Sequence, residues 1–111
     1  MWNEPTEEEL NKLPALYETE TADPLETLIH QHYFIGSSDW FISEYSPAER
    51  LFFGYTILNN DLLNSEWGYI SLDELRNINI RGIQVDRDLY WRVRSAGKVE
   101  KIKAAYDLKG F

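Results

Sequence analysis

Trp67-Gly68-Tyr69-Ile70-Ser71-Leu72-Asp73-Glu74-Leu75 reads as a short strand that runs straight into a capped helix. Trp67, Tyr69 and Ile70 suit a pleated, half-buried surface, and Gly68 leaves room for a large neighbour. Ser71 changes the backbone. Its hydroxyl can accept from the amide three residues on while Glu74 reaches back to the Ser71 amide, the reciprocal arrangement of a capping box. Asp73 and Glu74 also sit at the positive end of the helix dipole. Leu72, Leu75 and Ile78 recur every third residue and give one apolar stripe, with Gly82 as the expected stop. So short a helix is marginal alone and needs a sheet to lie on.

The flanking sequence supplies that sheet. Leu51–Leu58 is apolar on both faces, as expected of a strand in the middle of a sheet, and Gly54 within it marks a bulge or a close approach. Leu28–Ile35 and Trp40–Tyr45 read as a hairpin around the Gly36–Asp39 turn cluster. In the first of these strands alternation puts Ile29, Tyr33 and Ile35 on one face and His30 and His32 on the other. Thr6-Glu7-Glu8-Glu9 is a second capping box, opening a helix that Pro14 closes. Val85–Val93 reads as a last strand, and Lys98–Leu108 as a helix carrying Val99, Ile102 and Tyr106. The expected fold is α+β, an antiparallel meander of four or five strands with short N-terminal, middle and C-terminal helices packed on it.

The 111 residues correspond to one domain, with an acidic helix and linker over 1–26 and the last helix within 95–111. Sixteen aromatic residues argue against disorder. The absence of cysteine excludes disulfides and thiolate chemistry. No apolar run is long enough to span a bilayer and the acidic start does not resemble a signal peptide, so a cytoplasmic location is the default. The net charge of −8 is unevenly spread: residues 1–49 hold eleven acids and one base, residues 50–111 eight acids and ten bases. The first half would repel a phosphate backbone and attract a basic surface. Its Glu7, Glu8, Glu18, Glu20, Asp23 and Glu26 are the candidate partner-binding residues, although solvated acidic faces also serve solubility alone.

Other groups carry less specific signals. His30 and His32 on one strand face could take two corners of a metal site with Asp39 or Glu44 as third ligand. No Cys/His spacing demands it, and two half-exposed imidazoles are the ordinary reading, so no metal or other cofactor is expected. Asp86 and Asp88 flank Arg87 and could do acid–base work only in a pocket that separates their pKa values. A salt bridge to Arg87, Arg92 or Arg94 is the simpler role. Tyr90, Trp91, Arg92, Arg94, Lys98, Lys101 and Lys103 mix rings with cations, as a single-strand nucleic-acid surface does. No phosphate loop or nucleophile motif is present, and no residue is singled out as catalytic.

Several separated motifs resemble one family in the same order. Leu-Pro-Ala-Leu-Tyr-Glu-Thr-Glu at 13–20, Asp-Pro-Leu at 23–25, Phe-Phe-Gly-Tyr at 52–55, the Trp67–Leu75 stretch and Val-Asp-Arg-Asp-Leu-Tyr-Trp at 85–91 are similar to landmarks of the DUF2958 family. The family versions often read Gly-Tyr-Phe-Ser-Leu-x-Glu-Leu and Glu-Arg-Asp-Leu-x-Phe, so this chain departs by single residues. The resemblance runs from about Leu10 to Arg94. It implies a small uncharacterised domain of plasmids, integrative elements and phages that often accompanies anti-restriction genes. No catalytic residues are established for the family.

The leading expectation is therefore a non-enzymatic mobile-element protein. It would bind and inhibit a host defence or DNA-processing protein, of anti-restriction or anti-CRISPR type, through an acidic DNA-mimicking face. A nucleic-acid accessory protein using the Tyr90–Lys103 set, and a small metal-dependent enzyme built on His30, His32 and Asp39, are the alternatives.

Overall fold

The computed structural model describes residues 2–18 and 23–110. In chain order they form α1 (Glu7–Asn11), a 3-10 turn at Pro24–Glu26, β1 (Leu28–Ile29), β2 (Gln31–Ile35), β3 (Ser38–Ser46), β4 (Leu51–Ile57) and β5 (Glu66–Ser71). There follow α2 (Leu72–Asn77), β6 (Asn79–Ile80), β7 (Ile83–Gln84), β8 (Asp86–Arg87), β9 (Arg94–Ser95), a 3-10 turn at Ala96–Lys98 and α3 (Glu100–Lys109). The fold is α+β. Its main sheet is antiparallel in the order β5-β4-β3-β2-β8, a meander whose last strand returns to the β2 edge. Two-residue strands make the minor pairs β1–β9 and β6–β7.

Both faces of the sheet are covered. On one, Tyr33, Trp40, Ile42, Tyr45, Phe52 and Ile70 meet Leu10 and Leu13 from the α1 segment and Leu72 and Leu75 from α2. On the other, Ile29, Phe41, Tyr55 and Ile57 meet Val99, Ile102 and Ala105 at and within α3. The most buried strand is β3, in which Ser38–Tyr45 are all buried, rather than β4. A strict alternation could not build these clusters. Trp40 and Ile42 are even-numbered and Tyr45 is odd, yet all three share a face. A β-bulge between Ile42 and Glu44 makes this possible. Ser43, fully buried, satisfies its hydroxyl by donating to the Phe53 carbonyl at 3.0 Å.

A similar irregularity separates β1 from β2. Ile42 is opposite Gln31 in the ladder and also accepts from the His30 amide at 2.8 Å. Ile29 therefore turns to the α3 face while Tyr33 faces α2, and the expected alternation across Leu28–Ile35 is broken. The turn into β3 is also tighter than expected. Gly36 takes φ 55° and the strand resumes at Ser38, so Asp39 is a strand residue.

Three further expectations need correction. The helix after Ser71 ends at Asn77; Arg81 and Gly82, both at positive φ, instead turn the β6–β7 hairpin, with the Asn79 side chain accepting from the Gly82 amide. The expected strand Val85–Val93 is confined to Asp86–Arg87, because the Asp88 carboxylate accepts from the Tyr90 amide at 3.0 Å and turns the chain. At Ser71 the hydroxyl accepts from the Glu74 amide as expected, but the fully reciprocal box is the one at Thr6 and Glu9.

The edge strand β8 is held by residues from the far end of the chain. The Trp2 amide donates to the Val85 carbonyl, Asn3 donates to Asp86 at 2.7 Å, and Arg87 donates to the Asn3 carbonyl and to Glu9 at 2.7 Å. The Arg87 hydrogen bond, then that from the Thr6 amide, hold the Glu9 pKa at about 2 against an ordinary 4.5. As pH falls through 4.5 the unfolded chain takes up this proton while the folded chain holds it off to about 2. The pair thus stabilises the fold fully above that window and loses its contribution within it. Glu9→Gln is expected to lower the urea midpoint at neutral pH and to flatten its decline between pH 4.5 and 2.

Gly54 lies where a Cβ would sit on the Phe41 carbonyl oxygen and 3.0 Å from the Ile42 Cα, whereas a Cβ at Gly68 meets open space. Since the obstacle at Gly54 is backbone, β3 and β4 must part to admit a methyl group. Gly54→Ala is expected to cost about 3 kcal/mol or more in urea unfolding. Gly68→Ala is expected to stay within about 0.5 kcal/mol.

Candidate functional site

Carboxylates converge where the first turns of α1 and α2 meet the turn into β4. Arg50, at φ 50° in that turn, donates from Nε to Asp73 at 2.9 Å and lies 4.0 Å from Glu7. Arg76 pairs with Glu4 and lies 3.7 Å from Asp73. Two guanidiniums thus gather Glu4, Glu7 and Asp73. Glu8, Glu49 and Glu74 are the exposed sequence neighbours of these groups and make no ion pair among the described residues. Acids in helix first turns are favoured by the backbone dipole, so the cluster costs the fold little.

Only Glu7 and Glu8 of the six acids expected to bind a partner belong to this cluster. Glu18 accepts from the Ala15 amide at 2.7 Å within its own loop. Asp23 caps the Pro24–Glu26 turn, and Glu26 lies in that turn, which packs on the Ala96–Lys98 turn beside α3. Glu20 lies outside the described residues. Glu4, Glu49, Asp73 and Glu74 were missed as site residues; the capping sequence at Ser71 already displayed the last two.

A second polar centre sits on the α3 face. Asp39, only 4% exposed, accepts from His32 Nε2 at 2.7 Å and from Lys101 Nζ at 2.6 Å. The other imidazole nitrogen, Nδ1, lies 3.5 Å from Asp88. The His32 ring stacks on Phe41 at 4.6 Å and is flanked by Phe34 and Trp91. Burial works to raise the Asp39 pKa, but the hydrogen bonds from His32 and Lys101 outweigh it and hold the carboxyl below its usual value. An open cleft of about 510 Å³ borders His32, Asp39, Asp88 and Tyr90.

The two histidines are not a pair. His30 lines a different cleft with Lys12 and Leu13, near α1, and burial lowers its pKa. Glu44 is buried at the β3 bulge, where it accepts from the Tyr17 amide at 3.1 Å. No group of three or more His, Cys, Asp or Glu side chains among the described residues is placed to hold a metal. Asp86 and Asp88 are also separately engaged, by Asn3 and the Arg87 amide in one case and by the Tyr90 amide in the other.

The ring-and-cation set is divided in the same way. Trp91 is turned inward, its indole donating to the Ile29 carbonyl at 3.0 Å, and the Arg94 guanidinium covers it at 3.8 Å. Lys101 is committed to Asp39 and Lys103 to Asp107. Tyr90, 92% exposed, Arg92 and Lys98 remain at the surface.

Asp39→Asn would leave Lys101 and His32 without their shared anion in a buried setting. It is expected to cost about 2–4 kcal/mol, read as a lower urea midpoint with unchanged m. Lys101→Met should cost less, because that ammonium is half-exposed and its methylene stem is retained.

A family model described as "Protein of unknown function (DUF2958)" matches residues 6–100 of the 111, and the chain belongs to that family. No curated protein and no solved structure matches it. No helix among the described residues is long and apolar enough to cross a membrane.

Proposed function

We propose that this DUF2958 member is a cytoplasmic protein-binding module of mobile genetic elements, whose acidic face engages a basic surface of a host defence or DNA-processing protein. The observation that carries this reading is the gathering of Glu4, Glu7 and Asp73 around Arg50 and Arg76, with the exposed Glu8, Glu49 and Glu74 next to these groups in sequence. A charge array fixed to a folded scaffold can occupy a cationic groove that otherwise takes nucleic acid, whose charges fall about every 1.7 Å along a duplex axis. Arg50 and Arg76 hold half of these carboxylates in place and leave the other half unpaired toward solvent. The same charge disfavours direct nucleic-acid binding. Of the ring-and-cation set Tyr90, Arg92 and Lys98 are open to a strand, whereas Trp91 is turned inward and Lys101 is paired with Asp39.

The discriminating experiment captures partners from host lysate with tagged protein, nuclease present, at low and high salt. The comparison is with the triple variant Glu8→Lys/Glu49→Lys/Glu74→Lys. These three side chains make no ion pair among the described residues, so the variant is expected to keep its near-ultraviolet circular dichroism. A partner held by the native chain, released at high salt and absent from the variant is the expected result. Equal capture by both would overturn the acidic-face reading.

A further inference from the structure

The register of β2 with its two neighbours builds the floor of the cleft beside Asp39. On one side Phe34 pairs with Asp86, and the Asp88 amide donates to the His32 carbonyl at 2.9 Å, which sets His32 opposite Asp88. On the other side Phe34 pairs with Asp39 and His32 with Phe41. Residues two apart on a strand, and those directly opposite, share a sheet face. The His32 and Phe34 rings therefore lie between Asp39 on β3 and Asp86 and Asp88 at β8. The two rings are 5.6 Å apart, and the exposed Tyr90 stands at the rim of the cleft. Arg87 alternates to the opposite face, where Glu9 and the Asn3 carbonyl hold it.

The three carboxylates are not equally occupied. Asp39 uses Oδ1 for His32 and Oδ2 for Lys101. Asp86 accepts from Asn3 and from the Arg87 amide through Oδ1, and Asp88 accepts from the Tyr90 amide through Oδ1. The second oxygen of Asp88 lies 3.5 Å from His32 Nδ1, and that side chain is 32% exposed. Among the described residues neither Asp86 nor Asp88 forms an ion pair with a lysine or an arginine. The opening of about 510 Å³ thus combines ring walls with two carboxylates that no lysine or arginine of the fold neutralises.

We propose that this cleft binds a guanidinium group, that of an arginine side chain or of a free alkylguanidine. A planar guanidinium can lie against the Phe34 ring, with Tyr90 at its edge, while its fork of N–H donors reaches Asp86 and Asp88. An ammonium would match the charge but offers no flat face to the rings. The fold already uses this mode one ring away. The Arg94 guanidinium lies 3.8 Å over Trp91, whose ring centre is 5.2 Å from that of His32. The cleft is also separate from the acidic cluster, since Asp39 stands at the Ser38 end of β3 and Arg50 beyond its Ser46 end. The proposal does not rest on the acidic-face reading.

The test is an amide-resolved NMR titration of the isotope-labelled full chain with n-butylguanidinium and with n-butylurea, its neutral planar counterpart. Saturable shifts at His32, Phe34, Asp88 and Tyr90 are expected for the guanidinium, with a Kd of about 1 mM. The urea should bind about tenfold more weakly or not at all, because it lacks the charge. Asp88→Asn keeps an oxygen for the Tyr90 amide and should weaken guanidinium binding about tenfold. Tyr90→Ala removes a side chain that is 92% exposed, so the fold should be unaffected and binding weakened about threefold. Tighter binding of a blocked Gly-Arg-Gly peptide than of free arginine assigns the cleft to a protein arginine, and the reverse assigns it to a small metabolite; either upholds the proposal. Guanidinium shifts that do not saturate overturn it, as do equal affinities for the urea or a Kd that neither substitution changes.

Discussion

The bulge at Ser43 is the constraint on which the two-sided core depends. Side chains on a strand change face at every residue, so an uninterrupted β3 would send Tyr45 to the face opposite Trp40 and Ile42. One inserted residue restores it, and with it the surface on which Phe52, Leu72 and Leu75 pack. The slip at His30 does the converse, sending Ile29 to the α3 face so that β1 can join β9 beside the Ala96–Lys98 turn. Each bulge leaves backbone or hydroxyl groups to be satisfied, and both are paired: Ser43 to the Phe53 carbonyl, and the His30 amide to the Ile42 carbonyl.

The elements whose signals are local were legible in the sequence. Thr6 and Ser71 announced α1 and α2, apolar spacing announced α3, and the meander followed from apolar runs divided by turn residues. What failed were inferences that assumed unbroken alternation. Period two puts His30 and His32 on one face, but the chain slips between them at a point that no residue type marks. Val85–Val93 read as a strand because its rings alternate, whereas the Asp88 carboxylate captures the Tyr90 amide and ends it. Asp39 reads as a turn residue, and nothing local shows that Lys101, 62 positions away, will reach it.

Charge was legible as a total and not as a pattern. The split into an acidic first half and a slightly basic second half reappears as pairing across the chain: Glu9 with Arg87, Glu4 with Arg76, Glu7 near Arg50. The excess acid in one half is thus partly neutralised by arginines from the other. What remains at the surface is set by how many carboxylates those arginines cannot reach. The acidic cluster is consequently a product of tertiary structure, and it includes Asp73 and Glu74 from the half that carries no net acid.

The latch of Trp2, Asn3 and Glu9 on Val85–Arg87 joins groups about eighty positions apart in sequence. Contacts of that span form late, since most of the chain must be in place before they repay the loop they close. On the ribosome, β2 to β5 can assemble as successive hairpins while the outer edge of β2 still lacks its neighbour. That edge closes only when Asp86 and Arg87 have emerged and the α1 segment has come to hold them. Until then a nascent chain leaves the outer edge of β2 open, the condition in which neighbouring chains on a polysome most readily join by mistake.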